Sequence, residues 1–175
     1  MEKSASDRRL RVHFIHGLES SPQGEKARFF AEHFDATTPS MDTRDLEGAI
    51  RTQALAIQSA IDAGRGPDVV VGSSFGGAIA VALLARGLWR GPTLLLAQAA
   101  QKLGVIDPLP AGVHVTLVHG VDDAIVPIED SRALARTGTL GLVTLEEVAD
   151  EHRLSSLVSS GRLASLVREL HARAR

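Results

Sequence analysis

No cysteine occurs among the 175 residues. That absence excludes disulfides, thiolate catalysis and cysteine-ligated metals, and it removes redox chemistry as a guide to compartment. An excess of charge of one sign is also missing. Lys and Arg total 19 against 21 Asp and Glu, a formal net charge of −2, which gives no electrostatic reason to expect nucleic acid or an anionic membrane as partner. No stretch reaches the about 18 consecutive apolar residues needed to span a bilayer. The opening "MEKSASDRRLRVHFIHG" has no apolar run of secretory length, and a cytoplasmic location is expected. Internal repeats and low-complexity segments are absent as well.

What is present is ordinary for a globular chain: 44% apolar and 23% charged residues, in a length that suits one core. The expectation is a single domain over residues 1–175, with a flexible terminus over residues 1–9. Apolar runs alternate with helical patterns. Strands are expected at residues 11–17, 67–72, 92–100, 113–120 and 141–148, with a short one at 35–39. Helices are expected at 21–34, 43–64, 75–85, 127–137 and 153–174. The first would be capped by Ser20 or Ser21 with Pro22 in its opening turn, and Gly161 interrupts the stripe of the last. "PDVVVG" and "PTLLLAQAA" are apolar without alternation, as in strands buried on both faces of a parallel sheet. The fold class expected is α/β: an open, mostly parallel sheet of about six strands with helices on both faces. Three strands end in glycine, at Gly17, Gly72 and Gly120. In a parallel sheet these ends share one edge, where open α/β sheets bind ligands.

At one such end stands "VVVGSSFGGAIA". The pattern G-x-S-x-G is satisfied only with Ser74 at its centre, because centring on Ser73 would require glycine where Val71 and Phe75 stand. Strand, sharp turn and helix follow one another here, which holds the hydroxyl above the sheet at a helix N-terminus. Side chains at positions 72 and 76 would collide with neighbouring backbone.

A serine hydroxyl needs a base, and the base an orienting acid. "HGVDDAIVP" offers Asp122 and Asp123 after a strand. For the base, His152 lies in the polar loop "ADEHRLSS" and His171 at the tail of the last helix. Oxyanion donors are expected at the backbone N–H of Phe75, which follows the serine, and of Leu18, after the first strand. His16 is expected to brace that loop. Met41 and Gln98, with Leu18 and Phe75, are expected by position to line the substrate pocket.

Together "FIHGLESSP", "VGSSFGGAIA", "HGVDDAIVP" and "DEHRLSS" resemble the α/β-hydrolase superfamily over nearly the whole chain. The nearest likeness is to its small, lid-less bacterial serine esterases and thioesterases. The resemblance implies Ser74 as nucleophile, Asp123 as acid, His152 as base, and Leu18 and Phe75 as oxyanion donors. The order Ser74, Asp123, His152 is the order of that superfamily. Only about a dozen residues separate "LLLAQAA" from "VHVTLVHG", too few for a lid, so an open, shallow pocket is expected.

Other chemistries lack support. His13 and His16 form H-x-x-H, but residues three apart on a strand face opposite ways, and the same parity separates His114 from His119, five positions apart. No metal site is expected. "GSSFGG" lacks the Lys-Ser/Thr of a phosphate loop, and no G-x-G-x-x-G follows the first strand, so no cofactor is expected. The expected function is hydrolysis of small carboxylic esters or thioesters through an acyl-enzyme. The alternatives are a non-catalytic binding module on the same fold, or an acyltransferase using the same three residues.

Overall fold

The computed structural model describes residues 8–175. The expected flexible terminus falls, for residues 1–7, outside the described residues. Arg8 is tied down: its guanidinium donates to Asp68 at 2.9 Å.

Six strands form one sheet: β1 (Arg11–Ile15), β2 (Asp35–Thr37), β3 (Val69–Ser73), β4 (Thr93–Leu96), β5 (Val115–Gly120) and β6 (Val143–Val148). Every pairing is parallel, in the order β2-β1-β3-β4-β5-β6. Helices α1 (Glu25–His33), α2 (Leu46–Asp62), α3 (Phe75–Ala85), α4 (Ile128–Ala135), α5 (Ser155–Ser159) and α6 (Arg162–Arg173) cover both faces. Alternate strand residues sort into two cores. Ile15, Val70, Leu95 and Leu117 pack with α2 and α3, and Leu134 of α4 joins them. Phe14, Val71, Leu96 and Val118 pack with α1 and α6. Unalternating apolar strands are thus the direct consequence of helices on both sides. Helix α3 is buried from Phe75 to Leu84. A helix apolar all round has no solvent face to present, and α3 carries the serine turn at its start. Among the described residues no helix is long and apolar enough to cross a membrane.

Three expectations are corrected. The strand proposed over 92–100 stops at Leu96, because Ala97 takes φ 42° and turns the chain into a short 3-10 segment at Gln101–Leu103. The terminal helix is two helices, α5 and α6, broken where Gly161 adopts φ 74°. Helix α1 starts at Glu25 behind Gly24 rather than at Pro22. Ser21 closes a turn instead, its hydroxyl accepting from the Gln23 N–H at 3.1 Å and its carbonyl from that of Gly24 at 3.0 Å.

The chain leaves β1 to one side of the sheet and returns through β3 on the other. Between the carboxyl ends of β1 and β3 lies the crevice that such a reversal creates.

Candidate active site

Ser74 sits in that crevice, between β3 and α3, with φ 54° and ψ −112°. This backbone state costs about 1–3 kcal/mol for a non-glycine residue and persists only where the surroundings enforce it. They do so here through three backbone bonds. The Ser74 N–H donates to the Leu96 carbonyl at 2.9 Å, and the Ser74 carbonyl accepts from Ala78 and Ala99 at 3.1 Å each. The flanking glycines follow from the same crowding. A β-carbon at position 72 would overlap the Gly76 carbonyl, and one at position 76 would overlap the carbonyls of Ile15 and His16.

The Ser74 hydroxyl lies 2.9 Å from His152 Nε2, and His152 Nδ1 lies 2.7 Å from Asp123 Oδ2. Residues 49 and 78 positions away along the chain thus meet Ser74 at one point. The Asp123 side chain is fully buried, whereas His152 keeps 19% exposure, enough to be reached from solvent. Asp123 Oδ1 accepts from the backbone N–H groups of Ile125 at 2.8 Å and Val126 at 2.9 Å. Burial opposes ionisation of Asp123, but the donors from Val126, His152 and Ile125 outweigh it and hold the carboxyl below its usual range. Of the two aspartates, Asp122 is turned out: its side chain is exposed and its N–H donates to the Asp150 carbonyl at 3.2 Å.

Four contacts shape the His152 loop. Asp150 Oδ2 accepts from the Ser156 N–H at 2.9 Å and its hydroxyl at 2.6 Å. The Asp150 carbonyl holds Asp122, and the Lys26 ammonium donates to the Arg153 carbonyl. Burial in this wall pushes the Lys26 ammonium below its ordinary pKa. Leu154, at φ 53° and buried, anchors the far end.

The loop after β1 faces the serine. His16 Nδ1 donates to the Gly17 carbonyl at 2.8 Å, and the Ser20 N–H donates to the same oxygen at 3.3 Å. The Gly17–Leu18 peptide is trans, so its N–H points opposite to that anchored carbonyl. Bracing by His16 therefore sets the direction of the Leu18 N–H. Among the described residues, neither the Leu18 nor the Phe75 N–H has a hydrogen-bond partner. The latter belongs to the first turn of α3, where N–H groups have no partner within the helix.

A cavity of about 490 Å³ opens onto Ser74 and His152, walled by Phe14, Gly17, Leu18, Lys26 and Ile125. Three of the expected pocket side chains lie elsewhere. Met41 packs against the α2–α3 core and receives the Gln53 amide on its sulfur at 3.4 Å. Gln98 is buried beyond the end of β4, its side chain spent on Ser131 and the Ala100 N–H, because the chain turns at Ala97 rather than continuing as strand. The Phe75 ring joins the α2–α3 core, leaving only its backbone at the serine. His13 is likewise spent, lying 2.7 Å from Gln53 Oε1, with burial lowering its pKa.

Sequence reasoning also missed His119, which approaches the opposite side of Asp123 Oδ2 at 3.0 Å. A signal was present: a histidine closing an otherwise apolar strand, four residues before the acid. Lys26 and Ile125 gave none, since their place in the wall depends on how α1 and the Asp123 loop pack.

Residues 11–99, just over half of the chain, match the model of an uncharacterised protein family (UPF0227). No curated protein matches the sequence. Among solved structures, the chain is similar to a protein from Xanthomonas campestris pv. campestris assigned to the alpha/beta superfamily of hydrolases. That pair shares 26% identity with TM-score 0.72, over 93% of this chain and 100% of that one. It is also similar to a protein from Agrobacterium vitis S4 assigned as a hydrolase, at 18% identity and TM-score 0.72, over 93% of this chain and 88% of that one. Est1E from Butyrivibrio proteoclasticus aligns at 18% identity and TM-score 0.73, over 95% of this chain and 88% of that one. With its all-parallel sheet, its serine turn between β3 and α3 and these structural likenesses, the chain belongs to the family UPF0227 and has the fold of the α/β-hydrolase superfamily.

Proposed function

We propose that this protein is a serine hydrolase that cleaves carboxylic esters or thioesters. The observation that carries the reading is the unbroken chain Ser74 Oγ–His152–Asp123, at 2.9 and 2.7 Å, opening into a cavity. Ser74 Oγ attacks the substrate carbonyl carbon while His152 Nε2 takes its proton. Asp123 holds the imidazole through Nδ1–H and stabilises its cation. The N–H groups of Leu18 and Phe75 receive the oxyanion. Collapse of the tetrahedral intermediate expels the alcohol or thiol, protonated by His152, and leaves Ser74 acylated. Water, deprotonated by His152, then releases the acid and restores Ser74.

The cavity mouth supports an apolar group beside the carbonyl. Leu18 and Ile125, 51% and 55% exposed, stand on its wall, where a bound chain would cover them at about 25 cal/mol per Å². The relatives named as hydrolases support the same reaction class.

The test is a series of p-nitrophenyl esters and acyl thioesters of increasing chain length, with wild type and Ser74→Ala. The expected result is hydrolysis by wild type and a loss on the order of 10⁶-fold in the variant, as for a nucleophile acting with its base as a unit. Equal hydrolysis by both proteins would refute the proposal.

A further inference from the structure

We propose that His119 is a positioning residue for this reaction, holding the Val126 end of the loop that carries Asp123 and backing the buried side of its carboxylate, while His152 holds the open side. This inference rests on the reading of Ser74, His152 and Asp123 as a catalytic unit.

His119 is the penultimate residue of β5 and is fully buried. Its Nε2 lies 3.0 Å from the Val126 carbonyl and 3.0 Å from Asp123 Oδ2. Its Nδ1 lies 2.8 Å from the Ser131 hydroxyl on α4. Ser131, also fully buried, lies 3.1 Å from Gln98 Nε2, and Gln98 Oε1 lies 2.8 Å from the Ala100 nitrogen. Counting donors fixes every proton in this row. The Ala100 N–H can only donate, so the Gln98 oxygen faces it and the Gln98 amide N–H is aimed at Ser131. The Ser131 oxygen accepts that bond, and its one O–H remains for His119 Nδ1. The imidazole proton therefore sits on Nε2, where both neighbours, a carbonyl and a carboxylate, can only accept. The reverse tautomer would set Nδ1–H against a hydroxyl whose own proton has no acceptor, and would face two oxygens with a lone pair. Buried polar groups left this way cost about 1–3 kcal/mol each.

The consequence reaches the reacting groups through Asp123. Its Oδ1 is held by the backbone N–H groups of Ile125 and Val126 and its Oδ2 by His152 Nδ1–H, with the His119 ring 3.0 Å from the same oxygen. Rotation of a carboxylate about its last torsion is soft. The His119 Nε2–H donates to the Val126 carbonyl and so fixes the segment whose N–H groups hold Oδ1, while the His119 ring backs Oδ2 from the interior; together they keep Oδ2 in line with His152 Nδ1. The other charges near His119 lie on β6 and α4: Glu147, its register partner, and Arg132, whose guanidinium holds Glu147 at 2.7 Å. They are unaltered in the variants below.

The test compares His119→Phe, which keeps a ring but no donor, His119→Gln, whose amide N–H reaches the position of Nε2, and Ser131→Ala, which removes the proton that sets the tautomer. Ester hydrolysis gives kcat and KM, and ¹⁵N NMR of the folded wild-type protein reads the His119 tautomer without substrate. The expected result is a fall in kcat of about 10–100-fold in His119→Phe, the scale seen when an outer partner of a ligating histidine is removed. KM should change little, and His119→Gln, which restores a donor to the Val126 carbonyl, should recover most of the rate. Ser131→Ala should lower kcat by less, and it carries the test if His119→Phe does not fold. The NMR spectrum should show a proton on Nε2 alone. The inference is overturned if the proton resides on Nδ1, if His119→Phe or Ser131→Ala retains the wild-type kcat, or if His119→Gln is as slow as His119→Phe. An absence of Ser74-dependent hydrolysis in wild type would instead refute the parent reading, with the tautomer still decided by NMR.

Discussion

The serine turn and the His152 loop meet at one hydroxyl, yet they lean on side chains to different degrees. Residues 72–77 are held by backbone: three main-chain bonds at Ser74 and glycines whose missing β-carbons leave room for neighbouring carbonyls. Residues 150–154 also use main-chain bonds, from the Asp122 N–H to the Asp150 carbonyl and from the Leu154 N–H to that of Glu151, and Gly120 leaves room for both carbonyls; to these they add polar side-chain contacts through Asp150, Ser156 and Lys26, with Leu154 buried at the far end. The family match stops at residue 99, so it includes the turn and not the loop. The contrast teaches that the nucleophile is placed by packing no side chain can relax, while its base depends in addition on side-chain contacts that can be removed one at a time.

The largest way to break this contrast is Gly76→Ala. Its β-carbon would meet two backbone carbonyls of the β1 end, and a loss of about 3 kcal/mol or more is expected. Urea unfolding measures it, and a loss under about 1 kcal/mol would show the turn to be no tighter than ordinary packing. Asp150→Ala, in the loop, should cost only about 1–2 kcal/mol of stability. Its larger signature should be a lower kcat as His152 loses its mount, with the circular dichroism spectrum unchanged. Ser74→Gly sharpens the comparison from the other side. Removing the side chain from φ 54° should raise stability by about 1 kcal/mol while ending Ser74-dependent hydrolysis, whereas replacements at His152 should give no such gain.

The smallest expected effect is in acid. Burial raises the Asp150 pKa, but bonds from Ser156 and Glu151 outweigh it and hold the carboxyl below the usual carboxylate range. A depressed folded pKa stabilises the protein above the unfolded value, about 3.9, and that contribution is lost as pH falls through the folded value. Asp150→Asn should therefore flatten the stability curve below about pH 4. An unaltered acid limb would mean that the Asp150 bonds contribute nothing to folding.

The same contrast explains what could be read in the sequence. Ser74 was legible because its constraints are local: a strand, a fixed glycine spacing and a small-residue helix within twelve positions, Val69 to Ala80. Gly17, Gly72 and Gly120 were legible as one edge because a parallel sheet brings like ends together. His152 emerged from its place in the chain, with nothing local to mark it. His119, Gln98 and Ser131 could not be assembled, since their bonds span three elements and depend on the turn at Ala97. Met41 failed for a related reason. A loop position near a strand end predicts neighbourhood, while packing decided that its side chain joins the α2–α3 core.

The central claim is that Ser74, and not the adjacent Ser73, is activated by His152. Labelling the folded protein with a fluorophosphonate, followed by peptide mass spectrometry, tests it most directly. The account predicts a single phosphonylated residue, Ser74, and no adduct in His152→Ala; an adduct on Ser73, or labelling that survives loss of the imidazole, would contradict it.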